Sequence, residues 1–167
     1  MKIRGLRGST FEDIINRTID DYRTKKLALI QKIPTPIVPM KMDNEGHITK
    51  AFFDKKSTVD YIGVVQEIPV CFDAKECATN TFPLANIHKH QFEFMKEFEE
   101  QGGISFILIY FSKNKTSYYL TFKQLKKNWT IKKNIGFDEL LDEYIIDMKG
   151  KIKINLLEKL QLDIDER

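Results

Sequence analysis

Two apolar runs separated by two residues constrain the fold of this chain more than any other feature of its sequence. The runs cover 59–65 and 68–75, and Gln66-Glu67 lies between them. Runs of this length indicate strands, and a two-residue connection fixes the register of a β-hairpin. Counting outward from that turn, we expect Asp60 to lie directly across from Asp73.

The carboxylates of this hairpin, together with a lysine, indicate hydrolytic chemistry. Alternate residues of a strand share a face, so Asp73 and Lys75 lie on one side of it, about 7 Å apart. Cross-strand partners bring their Cβ atoms to about 5 Å, and two carboxylates so close repel unless a cation lies between them. Oxygen ligands suit Mg²⁺ or Mn²⁺, and an adjacent lysine can orient the attacking water or offset charge on a phosphate. The group therefore predicts metal-dependent phosphodiester hydrolysis.

A surface hairpin with an ordinary salt bridge is the alternative interpretation of the same residues. The apolar run Val70-Cys71-Phe72 argues against it, because Asp73 would then end a mostly buried strand. A buried acid without a partner is costly.

The remaining periodicity predicts an α/β domain with a mixed central β-sheet flanked by helices. No repeat or linker divides the chain, so we expect a single domain over 1–167, with an arm inserted at about 37–53. The other predicted elements are a helix from Ser9 to about Lys25, strands at 27–33, 104–111 and 118–122, a helix at 83–101, and two or three shorter helices near the end.

Composition limits where such a protein works. The 167 residues suffice for one core, and no run of about 18 apolar residues predicts a membrane span. The first residues lack the apolar stretch of a signal peptide. The cysteines, Cys71 and Cys77, fit neither a zinc site nor a disulfide framework. We therefore expect a protein of the reducing cytoplasm.

Charge is segregated along the chain, although the net charge is only +3. Residues 1–56 hold 12 Lys/Arg and 7 Asp/Glu, and residues 113–133 hold seven lysines and no acid. Acids collect at 93–100 and 138–147. This distribution is typical of a protein that meets a polyanion on one side, and two ordinary solvated faces are the alternative.

Asp60 with Asp73-Ala74-Lys75 resembles the core of the PD-(D/E)XK nucleases, and the surrounding sequence resembles one family of them, the RecU Holliday-junction resolvases. The similarity is collinear over about residues 4–122, with a weaker similarity at 153–157. The matching blocks are Arg4-Gly5, Thr10-Phe11-Glu12-Asp13, Lys32-Ile33-Pro34-Thr35-Pro36, Ser57-Thr58-Val59-Asp60-Tyr61-Ile62-Gly63, Phe72-Asp73-Ala74-Lys75-Glu76, Phe82-Pro83-Leu84 and Asn86-Ile87-His88-Lys89-His90-Gln91.

The resemblance implies a restriction-endonuclease-like nuclease fold with a projecting β-hairpin stalk, and it implies a role for each site residue. Lys75 would be the transition-state stabiliser. Glu12 would lie beside the metal as a catalytic acid, unless it only caps its helix. Gln91 would be a metal ligand, and the alternative is that it is only an exposed helix residue. The implied metal ligands are Thr58, Asp60, Asp73 and Gln91, around Mg²⁺ or Mn²⁺.

The resemblance also implies a substrate and partners. Two opposed nicks in a four-way DNA junction, leaving 5′-phosphate and 3′-hydroxyl ends, need the two active sites of a homodimer. A branch-migration helicase and a strand-exchange recombinase are implied as partners, in the cytoplasm at the nucleoid. The lysines at 113–133 form a second group of phosphate-binding candidates. The first group is Arg4, Arg7, Lys32, Lys41, Lys50, Lys55 and Lys56.

Three departures from the family pattern bear on these expectations. Asp73 stands where the family usually has Glu, and Val59 stands where Thr is usual. The tip of the arm, Asp43-Asn44-Glu45-Gly46, is acidic where family members usually carry basic residues. A nuclease of the same fold that cuts flap or duplex DNA, and a junction-binding protein without catalysis, therefore remain as alternatives.

Two further interpretations concern the predicted helix at 83–101. His88 and His90 are two residues apart and should lie on different helix faces, so they should not chelate a metal jointly. Phe92, Met95 and their aromatic neighbours are expected to pack in the core or a dimer interface.

Overall fold

A six-stranded mixed sheet lies at the centre of the protein, in a computed structural model that describes residues 9–53 and 58–167. The strands are β1 Leu29–Lys32, β2 Ile37–Met42, β3 Ile48–Phe53, β4 Tyr61–Val65, β5 Ile68–Cys77, β6 Thr81–Pro83, β7 Ile104–Phe111, β8 Thr116–Thr121, β9 Asn134–Gly136 and β10 Ile145–Asp147. The helices are α1 Ser9–Thr24, α2 Lys89–Glu100, α3 Phe122–Trp129 and α4 Leu156–Asp165.

The central sheet has the order β1-β4-β5-β7-β8-β10, and β5 pairs with β7 in parallel while its other neighbours are antiparallel. Parallel neighbours require a crossover, and α2 lies within it. The fold class predicted from the sequence, a mixed sheet flanked by helices, is confirmed. At the place predicted for the arm, β2 and β3 form a separate antiparallel pair.

The β4–β5 hairpin has the register that the sequence predicts. Val65 pairs with Ile68, and Tyr61 pairs with Phe72. Its two turn residues have positive φ, 46° and 75°, as a two-residue turn of type I′ requires. The next position outward therefore brings Asp60 to Asp73.

Stacked rings cross the sheet and hold this hairpin in the core. Tyr61 stacks on Phe72 at 4.7 Å between ring centroids, Phe72 stacks on Phe106 at 4.7 Å, and Phe106 stacks on Tyr119 at 4.2 Å. Tyr144 extends the series at 5.8 Å from Tyr119. All five side chains are buried. Offset stacking adds to the stabilisation from buried area, so the strands that carry the site are fixed in position.

The predicted helix at 83–101 is wrong at its start. Pro83 belongs to β6 and pairs with Asn134 of β9, and one 3-10 turn follows at 84–86. His88 is extended, with φ −74° and ψ 149°, so α2 begins only at Lys89. The short β6–β9 pairing is non-local, and apolar periodicity carries no signal for it.

The strand predicted at 118–122 ends at Thr121, one residue before its predicted end. The side chain of Thr121 accepts a hydrogen bond from the backbone N–H of Gln124, and this N-cap starts α3 at Phe122. Cys71 and Cys77 are free cysteines, and both are buried. Within the described ranges, the protein contains no helix of the length and hydropathy that crossing a membrane would need.

The backbone of β1 passes very close to Gly63 of β4. A Cβ atom there would lie 2.2 Å from the carbonyl oxygen of Leu29 and 2.6 Å from the Cα atom of Ile30. Backbone atoms cannot rotate away, so we expect Gly63→Ala to lower the free energy of unfolding by about 1–3 kcal/mol. Urea denaturation measures this change. The control is Ile152→Thr at an exposed position outside the sheet, and equal midpoints for the two variants would contradict the prediction.

Candidate active site

Two carboxylates face each other where β4 begins, and each accepts a hydrogen bond from the other strand. The backbone N–H of Asp60 donates to Oδ1 of Asp73 at 3.1 Å. The backbone N–H of Ala74 donates to Oδ2 of Asp60 at 2.9 Å. Since both donors are backbone groups at fixed register positions, the two side chains are held side by side.

Asp73 is fully buried, with 0% of its surface exposed. Burial, and then the negative charge of Asp60, raise the pKa of Asp73 well above its usual range. The ammonium of Lys75 acts in the opposite direction, because its Nζ lies 2.5 Å from Oδ2 of Asp73. One lysine therefore faces two carboxylates, and the local charge favours a further cation.

Gln91, in the first turn of α2, connects this helix to the acidic pair. Its Nε2 donates to Oδ2 of Asp73 at 3.0 Å. Its Oε1 accepts from Nζ of Lys75 at 3.4 Å and from the backbone N–H of His88 at 3.0 Å. The amide thus caps α2 and orients both charged side chains at once. The structure brings the predicted residues Asp60, Asp73, Lys75 and Gln91 together.

Glu12 of α1 lies near this group and is paired with a predicted DNA contact. The ammonium of Lys32 donates to the carboxylate of Glu12. The negative charge of Glu12 also contributes to the raised pKa values of Tyr61 and Glu76, on the two strands of the hairpin. Its position is compatible with a role beside the metal, and that role remains a prediction.

Glu76 makes a contact that sequence reasoning missed. Burial raises the pKa of its carboxyl, and the backbone N–H of Phe11, near the start of α1, acts in the opposite direction. Strand alternation places Glu76 on the face opposite Lys75, and this alternation could have predicted from the sequence that Glu76 lies on the other side of the sheet. The ring of Phe11 also stacks at 5.2 Å on Tyr110, the register partner of Glu76, so the start of α1, which includes Glu12, lies next to the strand that carries Asp73 and Lys75.

Thr58 lies at the edge of the site rather than in its hydrogen-bonded centre. It is half-buried and lines a groove of about 610 Å³ with α2 residues that include His90 and Phe94. The rings of His88 and His90 stack at 5.4 Å. The expectation that these two histidines lie on different faces is wrong, because His88 precedes the helix as its N-cap.

The predicted DNA-binding residues divide into three groups. Lys32 is paired with Glu12, as described above. Lys41 and Lys50 are exposed and face each other across the arm. The rest lie outside the described residues, namely Arg4, Arg7, Lys55 and Lys56.

Two carboxylates and a buried amide form a donor set that fits a hard divalent cation. Mg²⁺ typically binds one or two carboxylates and completes its shell with water and substrate phosphates. No group of three or more His, Cys, Asp or Glu gathers around a common point within 9–53 and 58–167. The residues present therefore fit a site completed by substrate rather than a closed structural metal site.

Similarity to known proteins agrees with this geometry. The model of the RecU family, described as Recombination protein U, matches residues 6–162. A protein of Leuconostoc mesenteroides named Holliday junction resolvase RecU is 37% identical over 150 residues, covering 85% of this chain and 74% of the relative. A protein of the same name from Pediococcus pentosaceus is 40% identical over 139 residues, covering 80% and 69%.

Among solved structures, the chain is similar to Hjc, a Holliday junction resolvase from the archaeal hyperthermophile Archaeoglobus fulgidus. The TM-score is 0.48 and the identity 8%, and the match covers 76% of this chain and 88% of the other. The family match extends over nearly the whole chain and includes Glu12, Thr58, Asp60, Asp73, Lys75 and Gln91. The chain belongs to the RecU family.

Proposed function

We propose that this protein is a divalent-metal-dependent endonuclease that resolves four-way DNA junctions. The observation that carries the proposal is the pair Asp60 and Asp73, with Lys75 held between Asp73 and Gln91. Membership in the RecU family, whose matched relatives are named Holliday junction resolvases, supports the choice of substrate.

The chemistry is hydrolysis of one backbone phosphodiester in each of two opposed strands. A water oxygen bonds to phosphorus, the bond from phosphorus to the 3′ oxygen breaks, and that oxygen leaves as a hydroxyl, with the phosphate on the 5′ end. Mg²⁺ or Mn²⁺ bound by Asp60 and Asp73 would supply a nucleophilic water and neutralise phosphate charge. Lys75 presents its ammonium to the negative charge that develops on the phosphate.

The surroundings of the pair keep these groups in position. Gln91 fixes Asp73 and Lys75 from α2, and backbone N–H groups fix the carboxylates from the strands. Full burial of Asp73 strengthens each of its interactions relative to water. Thr58 and Glu12 complete the proposed site, as a metal neighbour and a catalytic acid.

The arm is proposed to select the junction. Lys41 and Lys50 are register partners on it. Like charges directly opposite each other destabilise a hairpin, so this pair is best satisfied by an anion such as a DNA phosphate. Arg4, Arg7, Lys55 and Lys56 are proposed as further phosphate contacts.

We propose that the active unit is a homodimer. A four-way junction has two equivalent strands to cut, and a two-fold dimer supplies two sites in matching geometry. The register partners Leu29 and Val64 are 60% and 45% exposed at the edge of the sheet, an apolar surface that suits burial against a second copy. A helicase and a recombinase remain proposed partners, and the nucleoid the proposed location.

A second candidate function is cleavage of flap or duplex DNA by the same site. The tip of the arm favours it, because Asp43 accepts hydrogen bonds from the backbone N–H groups of Glu45 and His47 and so fixes negative charge there. An acidic tip is repelled by the phosphates of a junction centre. Comparing cleavage of a junction with cleavage of duplex of the same sequence separates the two functions.

The principal experiment incubates the pure protein with a labelled synthetic junction. We expect paired nicks with Mg²⁺ or Mn²⁺, no nicks in chelator, and junction binding that weakens steeply as salt rises. The lysine-rich segments motivate the salt dependence, and the paired carboxylates motivate the metal requirement. Full cleavage in excess chelator would refute the metal mechanism.

Substitution of the carboxylates should separate catalysis from binding. Asp73→Asn and Asp60→Asn each remove one negative charge from the site, so metal affinity and cleavage should fall by several orders of magnitude. Metal-free junction affinity should be unchanged or tighter, because an acid near a phosphate is removed. Titration calorimetry for the metal and gel shift for the junction measure the two effects.

Lys75→Ala is the matched comparison for the Asn variants. It should abolish cleavage and still bind metal, since the lysine acts on the transition state and does not ligate the cation. If the folded Asn variants lose junction binding in parallel with cleavage, these carboxylates are not a catalytic metal site. Near-normal cutting by Asp73→Asn would lead to the same conclusion.

Shortening the arm should change substrate choice without changing the chemistry. When residues 41–50 are replaced by a two-residue Asn-Gly turn, we expect the preference for junction over duplex to fall at least tenfold, because Lys41 and Lys50 are removed. Lys41→Gln combined with Lys50→Gln removes the charge and keeps the length of the arm. It therefore shows which of the two determines the preference for the junction. A shortened protein that discriminates as well as the parent would show that selection lies elsewhere.

A further inference from the structure

A lysine-rich surface lies beside α3, outside the catalytic group described above. It consists of two adjoining grooves that share Lys132. One, of about 300 Å³, is lined by Lys127 and Lys132. The other, of about 420 Å³, is lined by Lys132, Lys133 and Trp129. We call these residues the α3 surface.

The charge on this surface is only partly neutralised. Lys132 pairs with Glu139 at 2.9 Å. In the described part of the chain, Lys127 and Lys133 form no ion pair, and both are exposed. The neighbouring Lys126 is also exposed on α3. The unpaired ammonium groups of Lys127 and Lys133, at two adjoining grooves, attract an extended anion.

The α3 surface is attached to the helix that carries part of the catalytic site. Trp129 stacks on Phe92 of α2, with 4.4 Å between ring centroids and 8° between ring planes. The backbone N–H of Leu84 donates to the carbonyl of Lys133 at 2.9 Å, and Leu84 leads through one turn into α2. Gln91, one residue before Phe92, contacts Asp73.

This attachment gives the surface a fixed relation to the scissile phosphate. A ligand bound at Asp73 and Lys75 is a DNA strand in the proposed function, and its duplex continues past the site. The lysines next to α2 are then available to contact phosphates of that same duplex. The ammonium groups of Lys127, Lys132 and Lys133 are all exposed and so are accessible to such phosphates.

We propose that the α3 surface binds the phosphate backbone of the DNA duplex that extends from the cleaved strand. This proposal rests on the proposed function for the identity of the DNA, and the contact itself is to phosphate and independent of base sequence. It separates holding the duplex, at α3, from recognising the crossover, at the arm.

The test compares two double variants. In the first, Lys127→Gln and Lys133→Gln are combined, and the control removes two lysines elsewhere. Lys26→Gln with Lys96→Gln is the control, because both side chains are exposed. Lys26 follows the C-terminal end of α1, and Lys96 lies in the second half of α2, where it pairs with Glu100 at 3.9 Å. Binding to plain duplex and to the junction is measured without metal over a range of salt concentrations.

Removing one phosphate-binding lysine should reduce the slope of log affinity against log salt by about 0.9, so the α3 double variant should reduce it by about 1.8. Its affinity at physiological salt should fall roughly tenfold or more, and the control should match the parent.

An unchanged slope, or an equal fall in the control, would overturn the proposal. Weaker self-association with an unchanged DNA slope would assign the surface to a protein contact and would overturn it too. The two proposals fail separately. A parent that cuts no junction refutes the proposed function, while the slope on plain duplex still reports on the α3 surface.

Discussion

The rest of the site depends on the burial of one carboxylate, that of Asp73, inside a hydrogen-bonded hairpin. An isolated buried acid costs several kcal/mol, so it persists only where donors and a counter-charge surround it. Here the donors come from the backbone of Asp60, from the amide of Gln91 and from Lys75. The need to satisfy Asp73 therefore assembles the residues that perform the proposed chemistry.

The stacked rings and the parallel β5–β7 pair explain why this arrangement is rigid. Phe72 precedes Asp73 and stacks on rings of both neighbouring strands, Tyr61 and Phe106. Movement of Asp73 along its strand would break both contacts. Precise placement of a catalytic group thus follows from the packing of its chain neighbour, and bound substrate need not impose it.

The sequence predicted the centre of the site better than its margins, for a physical reason. A two-residue turn and strand alternation are local rules, and they suffice to bring Asp60 to Asp73. The late start of α2 depends on Pro83 pairing with Asn134, far along the chain, and no local pattern encodes that contact. The double role of Gln91 and the position of Phe11 near Glu76 likewise depend on how helices pack on the sheet.

The arm has a consequence for how this protein can diverge from its relatives. Its strands, β2 and β3, pair with each other as a separate sheet, and nearly all of their side chains are exposed. Substitutions there leave the buried core untouched and change the free energy of unfolding little. The folding of the domain therefore constrains the sequence of the arm only weakly. An acidic tip such as Asp43-Asn44-Glu45 can arise without compensating changes in the nuclease body.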